Sequence, residues 1–359
     1  MARHHAWSGG GLTRLVLAFM RLLGARAYRN RPNPHYDPGQ PHHTPTGFQN
    51  LAPEARSMRD FRRWQRERRI KGPPPPPAPW LADWVDTPDL AWLAQNRSAA
   101  TATWIGHVTV LVQMGGLNIL TDPVFSARAS PLFFAGPRRY QPPAIGLRDL
   151  PAVDAVLISH NHYDHLDRAS VQALHRRSQG ATRFFVPLGL KSWFARLGID
   201  HVTELDWWQS ASWRGVDFHL VPAQHWSTRL VFDRNKTLWG GWVAGAQDLR
   251  FYFAGDTGYD GAIFAEIGRR FAPIDLAALP IGAYEPRWFM EPQHIDPGQA
   301  VQILRDVGAR RGLPVHWGTF QLADEPLHQP LEDLARALQA AGLDESVFRA
   351  VRLGETLRL

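Results

Sequence analysis

Apolar residues along this chain follow two rhythms that take turns. Compact runs such as "VDAVLIS" (153–159), "TRFFVPLG" (182–189), "VDFHLVPAQ" (216–224), "LRFYFAG" (249–255) and "DLAALPIG" (275–282) read as buried strands. Between them lie "RASVQALHRR" (168–177), "LKSWFARLG" (190–198), "DPGQAVQILRDVG" (296–308) and "PLEDLARALQAAG" (330–342), whose apolar positions recur at helical spacing. Upstream, "TWIGHVTVLVQM" (103–114) and "LNILTD" (117–122) flank Gly115-Gly116, a β-hairpin signal. Strands alternating with helices predict an α/β architecture of sheets covered by helices. No repeat of solenoid or propeller length is visible.

Before residue 101 the rhythm fails, which divides the chain into an N-terminal extension (1–100) and one compact unit (101–359). Within the extension, residues 12–25 predict an amphipathic helix: Arg14, Ala18, Arg21 and Ala25 form a narrow stripe, and Leu15, Val16, Phe19, Leu22 and Leu23 cover the rest. That pattern fits a helix docked on a surface, a membrane interface included. An export signal is the weaker alternative, because Arg14 and Arg21 interrupt its apolar core. Residues 29–53 are rich in Pro, His, Asn and Gly without a period and predict irregular structure. "MRDFRRWQRERRIKG" (58–72) predicts a short charged helix, stopped by a proline-rich linker at 73–79 that must run extended.

Composition narrows the chemistry. Of 359 residues, 44% are apolar, enough for a sizeable core. Cysteine is absent, so disulfides and thiolate ligands are excluded and any metal must rest on His, Asp or Glu. The net charge of +7 is an N-terminal property: residues 1–72 hold 14 Lys+Arg against 4 Asp+Glu. No stretch reaches the roughly 18 apolar residues of a spanning helix. The expected setting is cytoplasmic, with peripheral attachment to a membrane.

Within that frame one nonapeptide stands out. "SHNHYDHLD" (159–167) follows directly on a buried strand and carries His160, His162, Asp164 and His165. Other strands also end on such groups: His225 after "HLVPAQ", Asp256 after "FYFAG" and His316 after "LPV". Strand ends converge on one edge of a layered α/β fold, so these side chains can meet. Residues two apart in extended backbone point the same way, which pairs His160 with His162 on one ion. Asp164 and His165 then turn toward a second. His225 would complete the first site and His316 the second, while the two oxygens of Asp256 suit it to bridge. Imidazole and carboxylate donors favour zinc, with manganese or iron as alternatives. Asp122 is a candidate to buttress a ligand histidine. The isolated His4, His5, His35, His42, His43, His175, His201 and His328 read as ordinary hydrogen-bonded or exposed residues. No "GxSxG" elbow or cysteine competes for the role of nucleophile.

"HNHYDH", "PAQH", "GDTG" and "PVHWG", in this order, resemble the metallo-β-lactamase superfamily. "VPLGLKSWF", "TELDWW", "LPIGAYEPRWFMEPQHIDP" and "HWGTFQLADEP" resemble more narrowly its N-acylphosphatidylethanolamine-hydrolysing phospholipase D branch. The resemblance implies a four-layer αβ/βα sandwich with two zinc ions at one edge. It implies hydrolysis of a membrane phosphodiester to an N-acylethanolamine and phosphatidate, by a metal-bridging hydroxide attacking phosphorus. On this pattern Asp164 and Asp256 serve catalysis through the metals, and His294 stands beside the substrate as candidate proton donor. Tyr163 and Gln293 match positions near the headgroup, and Trp288, Phe289 and Met290 could line an acyl groove, although each of the five could equally serve packing. Arg168 departs from the aromatic residue of animal members, which touches headgroup contacts more than metal chemistry. Two alternatives stay open: a soluble hydrolase of lactones or small phosphodiesters, and a non-catalytic metal- or nucleic-acid-binding module. No nucleic-acid partner is expected, since no reader motif of interleaved aromatic and basic residues is present. A homodimer is a candidate assembly.

Overall fold

The computed structural model of the chain describes residues 29–52, 57–247 and 249–359. The amphipathic segment expected at residues 12–25 lies outside them. A helix of Met58–Lys71 (α1) opens on a capping box in which Ser57 and Asp60 satisfy each other's backbone N–H groups. Gly72 ends it, and a 3₁₀ turn, Pro79–Asp83, and a short helix, Leu90–Gln95 (α2), follow the proline run. The expected charged helix is therefore present. Residues 29–52 are mostly turns around a minimal hairpin, His43–Thr44 with Gly47–Phe48.

Among the described residues, thirteen further strands build the body of the molecule. They are β1 (Thr101–Gly106), β2 (Thr109–Met114), β3 (Leu117–Thr121), β4 (Ala155–Leu157), β5 (Arg183–Pro187), β6 (Val202–Leu205), β7 (Ser210–Trp213), β8 (Val216–Val221), β9 (Gly241–Ala246), β10 (Leu249–Phe253), β11 (Leu276–Pro280), β12 (Gly312–Val315) and β13 (Thr356–Arg358). One sheet has the order β13-β1-β2-β3-β4-β5-β6 and the other β12-β11-β10-β9-β8-β7. Both are mixed. β3 to β6 run parallel, as do β10 to β12, and the remaining pairs are antiparallel.

Period-two alternation sorts side chains between layers. Val110, Val112, Ile119 and Leu157 point between the sheets, where they meet Phe218, Leu220 and Trp242. Leu111, Leu120 and Val156 point outward and pack on Val171 and Leu174 of the helix Arg168–Arg177 (α3) and Phe194 of Lys191–Ala195 (α4). The second sheet is covered by Gly261–Phe271 (α5), Pro297–Asp306 (α7) and Gln329–Ala341 (α8), through Phe264, Ile303 and Leu334; a four-residue helix, Arg287–Met290 (α6), stands apart from them. The result is the expected α/β sandwich of mixed sheets flanked by helices.

One detail departs from the strand reading, and one bears out the expected hairpin. "TWIGHVTVLVQM" forms two antiparallel strands, because Gly106 (φ 143°) and His107 (φ 53°) reverse the chain between β1 and β2. The next reversal, Gly115-Gly116, has positive φ at both residues, as a type I′ turn requires. A side chain at Gly115 would also strike Val216 and Ala246 of the facing sheet.

The segment before β1 is packed into the body, with Leu81 and Leu93 fully buried in the two main core clusters. His42 and His43 share the Asp206 carboxylate at 2.7 and 3.0 Å, and the His42 ring stacks on Trp207. His43 Nδ1 accepts the Asp37 N–H, so its own proton sits on Nε2, facing Asp206. A protonated Nε2 offers no lone pair to a cation, and the trio reads as a buried clasp.

Candidate metal centre

Strands β4, β8, β10 and β12 all end at one edge, and each is followed by its donor. After β4 the chain turns through residues 158–167, where His165 and Leu166 each donate a backbone N–H to His162 O, at 3.1 and 2.8 Å. His160 Nε2 and His162 Nδ1 stand 2.8 Å apart, with His225 Nε2 3.3 Å from the latter. The second group centres on Asp164 Oδ2, which lies 3.4 Å from His165 Nε2 and 3.3 Å from His316 Nε2. Asp256 stands between them: Oδ2 is 3.2 Å from His165 Nε2 and 3.8 Å from His225 Nε2, and Oδ1 is 3.3 Å from His316 Nε2. All seven residues anticipated as ligands are thus brought together.

These contacts have the character of a chelating set. Donors about 2.0–2.2 Å from a common ion stand about 3.0–3.5 Å from one another. His165 Nε2 and Asp256 Oδ1 are buried and make no hydrogen bond, although each stands within 3.3 Å of another atom of the set. A buried polar atom without a partner costs about 1–3 kcal/mol, which bound divalent cations would offset. The donor set of nitrogens and carboxylate oxygens fits such ions.

The far side of each ring is held in turn. Asp122, at φ 27° just past β3, accepts from Ser159 N–H at 2.7 Å and lies 2.7 Å from His165 Nδ1. Ser159 Oγ bridges Asp122 and His160 Nδ1 at 2.5 and 2.9 Å. His225 Nδ1 donates to Gln293 O at 2.9 Å, and Asn50 grips the His225 backbone from both sides, at 2.8 and 3.1 Å. Gly282 has no side chain because the His316 carbonyl would stand 2.2 Å from its Cβ.

Electrostatics follow from burial and like-charge crowding. Burial, aided by neighbouring histidines, holds His160 well below the usual histidine range. Burial likewise pulls His162 down to about 3. Burial opposes charge on His316 too, but Asp256 and Asp164 overcome it and push it up to about 9. The carboxylates of Asp164 and Asp256, despite burial, are held well below their usual range by His165 and its neighbours. The pocket therefore keeps its two acids ionised and attracts positive charge.

His294 lies on the open side, its Nδ1 3.9 Å from Asp256 Oδ2 and its ring 5.1 Å from His225. Tyr163 turns away from the centre: its hydroxyl donates to Arg229 O at 3.0 Å and the guanidinium covers its ring at 4.1 Å. Arg229 itself clamps both ends of the ligand loop, donating to Asn161 O at 2.9 Å and Leu166 O at 2.7 Å. The Gln293 side chain is fully buried, and its carbonyl is what meets the centre. Phe289 and Met290 of α6 are buried, Phe289 stacked on Trp64 of α1 at 4.9 Å, while Trp288 keeps 37% exposure under Arg63.

Sequence reasoning missed His107, whose Nε2 lies 3.2 Å from Asp164 Oδ2. Burial pulls it down to about 3. A histidine interrupting the apolar run "TWIGHVTV" was its signal, since β1 also ends at the ligand edge. Asn50 and Arg229 carried no signal beyond their type.

A beta-lactamase superfamily domain matches residues 117–317. The N-acyl-phosphatidylethanolamine-hydrolyzing phospholipase D 1 of Caenorhabditis elegans is 42% identical over 271 residues, 72% of this chain and 76% of the nematode protein. The mitochondrial N-acyl-phosphatidylethanolamine-hydrolyzing phospholipase D of Saccharomyces cerevisiae is 36% identical over 260 residues, 71% of this chain and 55% of the yeast protein. A solved metallo hydrolase of Ignicoccus hospitalis shares the fold, with a TM-score of 0.55 at 22% identity over 73% of this chain and 99% of that one. Fold and donor set together define a metal-dependent hydrolase. The chain belongs to the metallo-β-lactamase superfamily, among relatives of the N-acylphosphatidylethanolamine-hydrolysing phospholipase D kind.

Proposed function

We propose that the chain hydrolyses N-acylphosphatidylethanolamine at a membrane surface, releasing an N-acylethanolamine and phosphatidate, with two zinc ions at the strand edge. The observation that carries the metal chemistry is Asp256, within 4 Å of donors from both histidine groups. Two such ions lower the pKa of water toward neutrality and neutralise charge growing on phosphate oxygens. His160, His162 and His225 would hold one ion, Asp164, His165 and His316 the other, and Asp256 both. Hydrolysis breaks the bond between phosphorus and the ethanolamine oxygen, and that oxygen leaves needing a proton. His294, with Nδ1 3.9 Å from Asp256 Oδ2, is the candidate to give one and recover it from the consumed water.

Support for a lipid substrate comes from the relatives' names and from the rim. The loop between β3 and β4 is rooted beside the ligand loop, since Phe125 N–H donates to Ser170 Oγ at 2.9 Å and Ser126 N–H to Asp167 at 3.1 Å. Its other root, Arg139, pairs with Phe320. From that base it projects Leu132, Phe133 and Phe134, with Phe133 92% exposed. Leu230 and Val231, next to the Arg229 clamp, are exposed as well. Clustered exposed aromatics and aliphatics beside a site suit the headgroup boundary of a bilayer. Among the described residues no helix is long and apolar enough to cross a membrane.

Mass spectrometry of products from zinc-loaded protein and vesicles of mixed phospholipids tests the reading. N-acylethanolamine plus phosphatidate is expected. Turnover confined to a lactone or a small soluble phosphodiester, with every phospholipid untouched, overturns it.

A further inference from the structure

Among the groups that reach the metal edge, His107 has a role that neither the ligand pattern nor the proton-transfer chemistry needs. It sits in the one-step reversal between β1 and β2 at φ 53°, a left-handed conformation in which Gly or Asn is easier to place than His. It is 1% exposed, and its Nδ1 makes no hydrogen bond. A residue serving only as a turn would carry neither cost. What the imidazole does instead is present Nε2 to Asp164 Oδ2 at 3.2 Å while lying 4.4 Å from the His316 ring and edge-on to Phe320. Its backbone is committed to the same neighbourhood. The carbonyl accepts the His316 N–H at 3.0 Å, and its own N–H donates to Thr319 Oγ1 at 3.0 Å.

A neutral imidazole carries one proton. With Nδ1 facing no acceptor, placing that proton on Nε2 gives Asp164 a donor and leaves its carboxylate ionised and fixed in direction. We infer that His107 is a positioning residue of the second ion's site, its Nε2–H aiming the Asp164 carboxylate and its carbonyl setting the His316 backbone. Two donors from loops 152 residues apart are thereby registered by one turn. The inference rests on the two-ion reading.

Two variants separate the N–H from the packing. His107→Phe keeps a ring against His316 and Phe320 but donates nothing. His107→Asn suits the left-handed backbone and keeps a donor. Apoprotein of each is dialysed against graded free zinc, metal content is counted, and apoprotein thermal midpoints are recorded beside it. Wild type should bind two ions. His107→Phe should hold one as tightly as wild type and the other about 10–100-fold more weakly, the usual loss when a ligand's hydrogen-bond partner goes. His107→Asn should recover most of that loss. Equal affinity of His107→Phe and wild type for both ions overturns the inference, as does a His107→Asn as weak as His107→Phe. Where His107→Phe does not fold, His107→Ala takes its place beside His107→Asn: loss of one ion's affinity in His107→Ala that His107→Asn recovers supports the role, and equal affinity of His107→Ala and wild type refutes it. Wild type binding fewer than two ions instead removes the two-ion reading on which the inference stands.

Discussion

Asp122 shows how much of a metal centre can hang on a side chain that does not face it. Its carboxylate is fully buried, and burial pushes its pKa up even as His165 and Ser159 pull it back. It persists because it holds His165 Nδ1 and, through Ser159, also orients His160. One residue thus bears on a donor of each proposed ion, on His165 directly and on His160 through Ser159. Asp122→Asn should lower zinc affinity by roughly 10–100-fold at both positions, read by competition with a chelator. Asp256→Asn, which removes a donor shared by both groups, should abolish metal-dependent hydrolysis while circular dichroism of the apoprotein stays unchanged.

Among the elements, legibility tracked periodicity. The helices α3, α7 and α8 were readable because one buried face imposes a repeat, the strands β4, β8, β10 and β12 because burial makes them compact apolar runs, and the ligands because they follow directly on those runs. The glycine pair made the reversal at Gly115-Gly116 legible, but the reversal at Gly106-His107 was not. β1 and β2 merge in an apolar reading since the single polar residue after Gly106 is too short a gap to mark a turn, and His107 was lost with it. Asn50 and Arg229 act through loops 175 and 63 residues away, at distances no local pattern encodes. α1 was legible as a helix, yet its docking was not, because only Trp64 of its residues is buried. Trp64 stacks on Phe289 and donates to Asp324 at 2.9 Å. Trp64→Ala should cost about 3 kcal/mol in urea unfolding, whereas Ser57→Ala, at the helix cap, should cost about 1 kcal/mol.

For the molecule as a whole, two conditions should be felt, acidity and a bilayer. Glu325 is buried and accepts N–H groups from Ala283 and Glu285, and burial pushes it up to about 7. Unfolded, it would ionise near 4.5, so between these values the folded chain binds the extra proton and stability falls as pH rises. The loss approaches roughly 3 kcal/mol by neutral pH. Calorimetric midpoints of the wild type, taken from pH 5 to 7.5, should decline more steeply than those of Glu325→Gln; parallel curves would deny Glu325 this part. At the bilayer, replacing both Phe133 and Phe134 by Asp should weaken vesicle sedimentation about tenfold or more and leave turnover of a small soluble phosphodiester unaltered.

The hold of Asn50 on His225 gives the segment ahead of the sandwich a stake in the chemistry. Exchange that segment with a homologue's and the hybrid inherits two lineages at one histidine: a donor from the recipient and its alignment from the graft. Families that diversify by trading leading segments would then retune their catalysts each time, with every metal-binding residue unaltered.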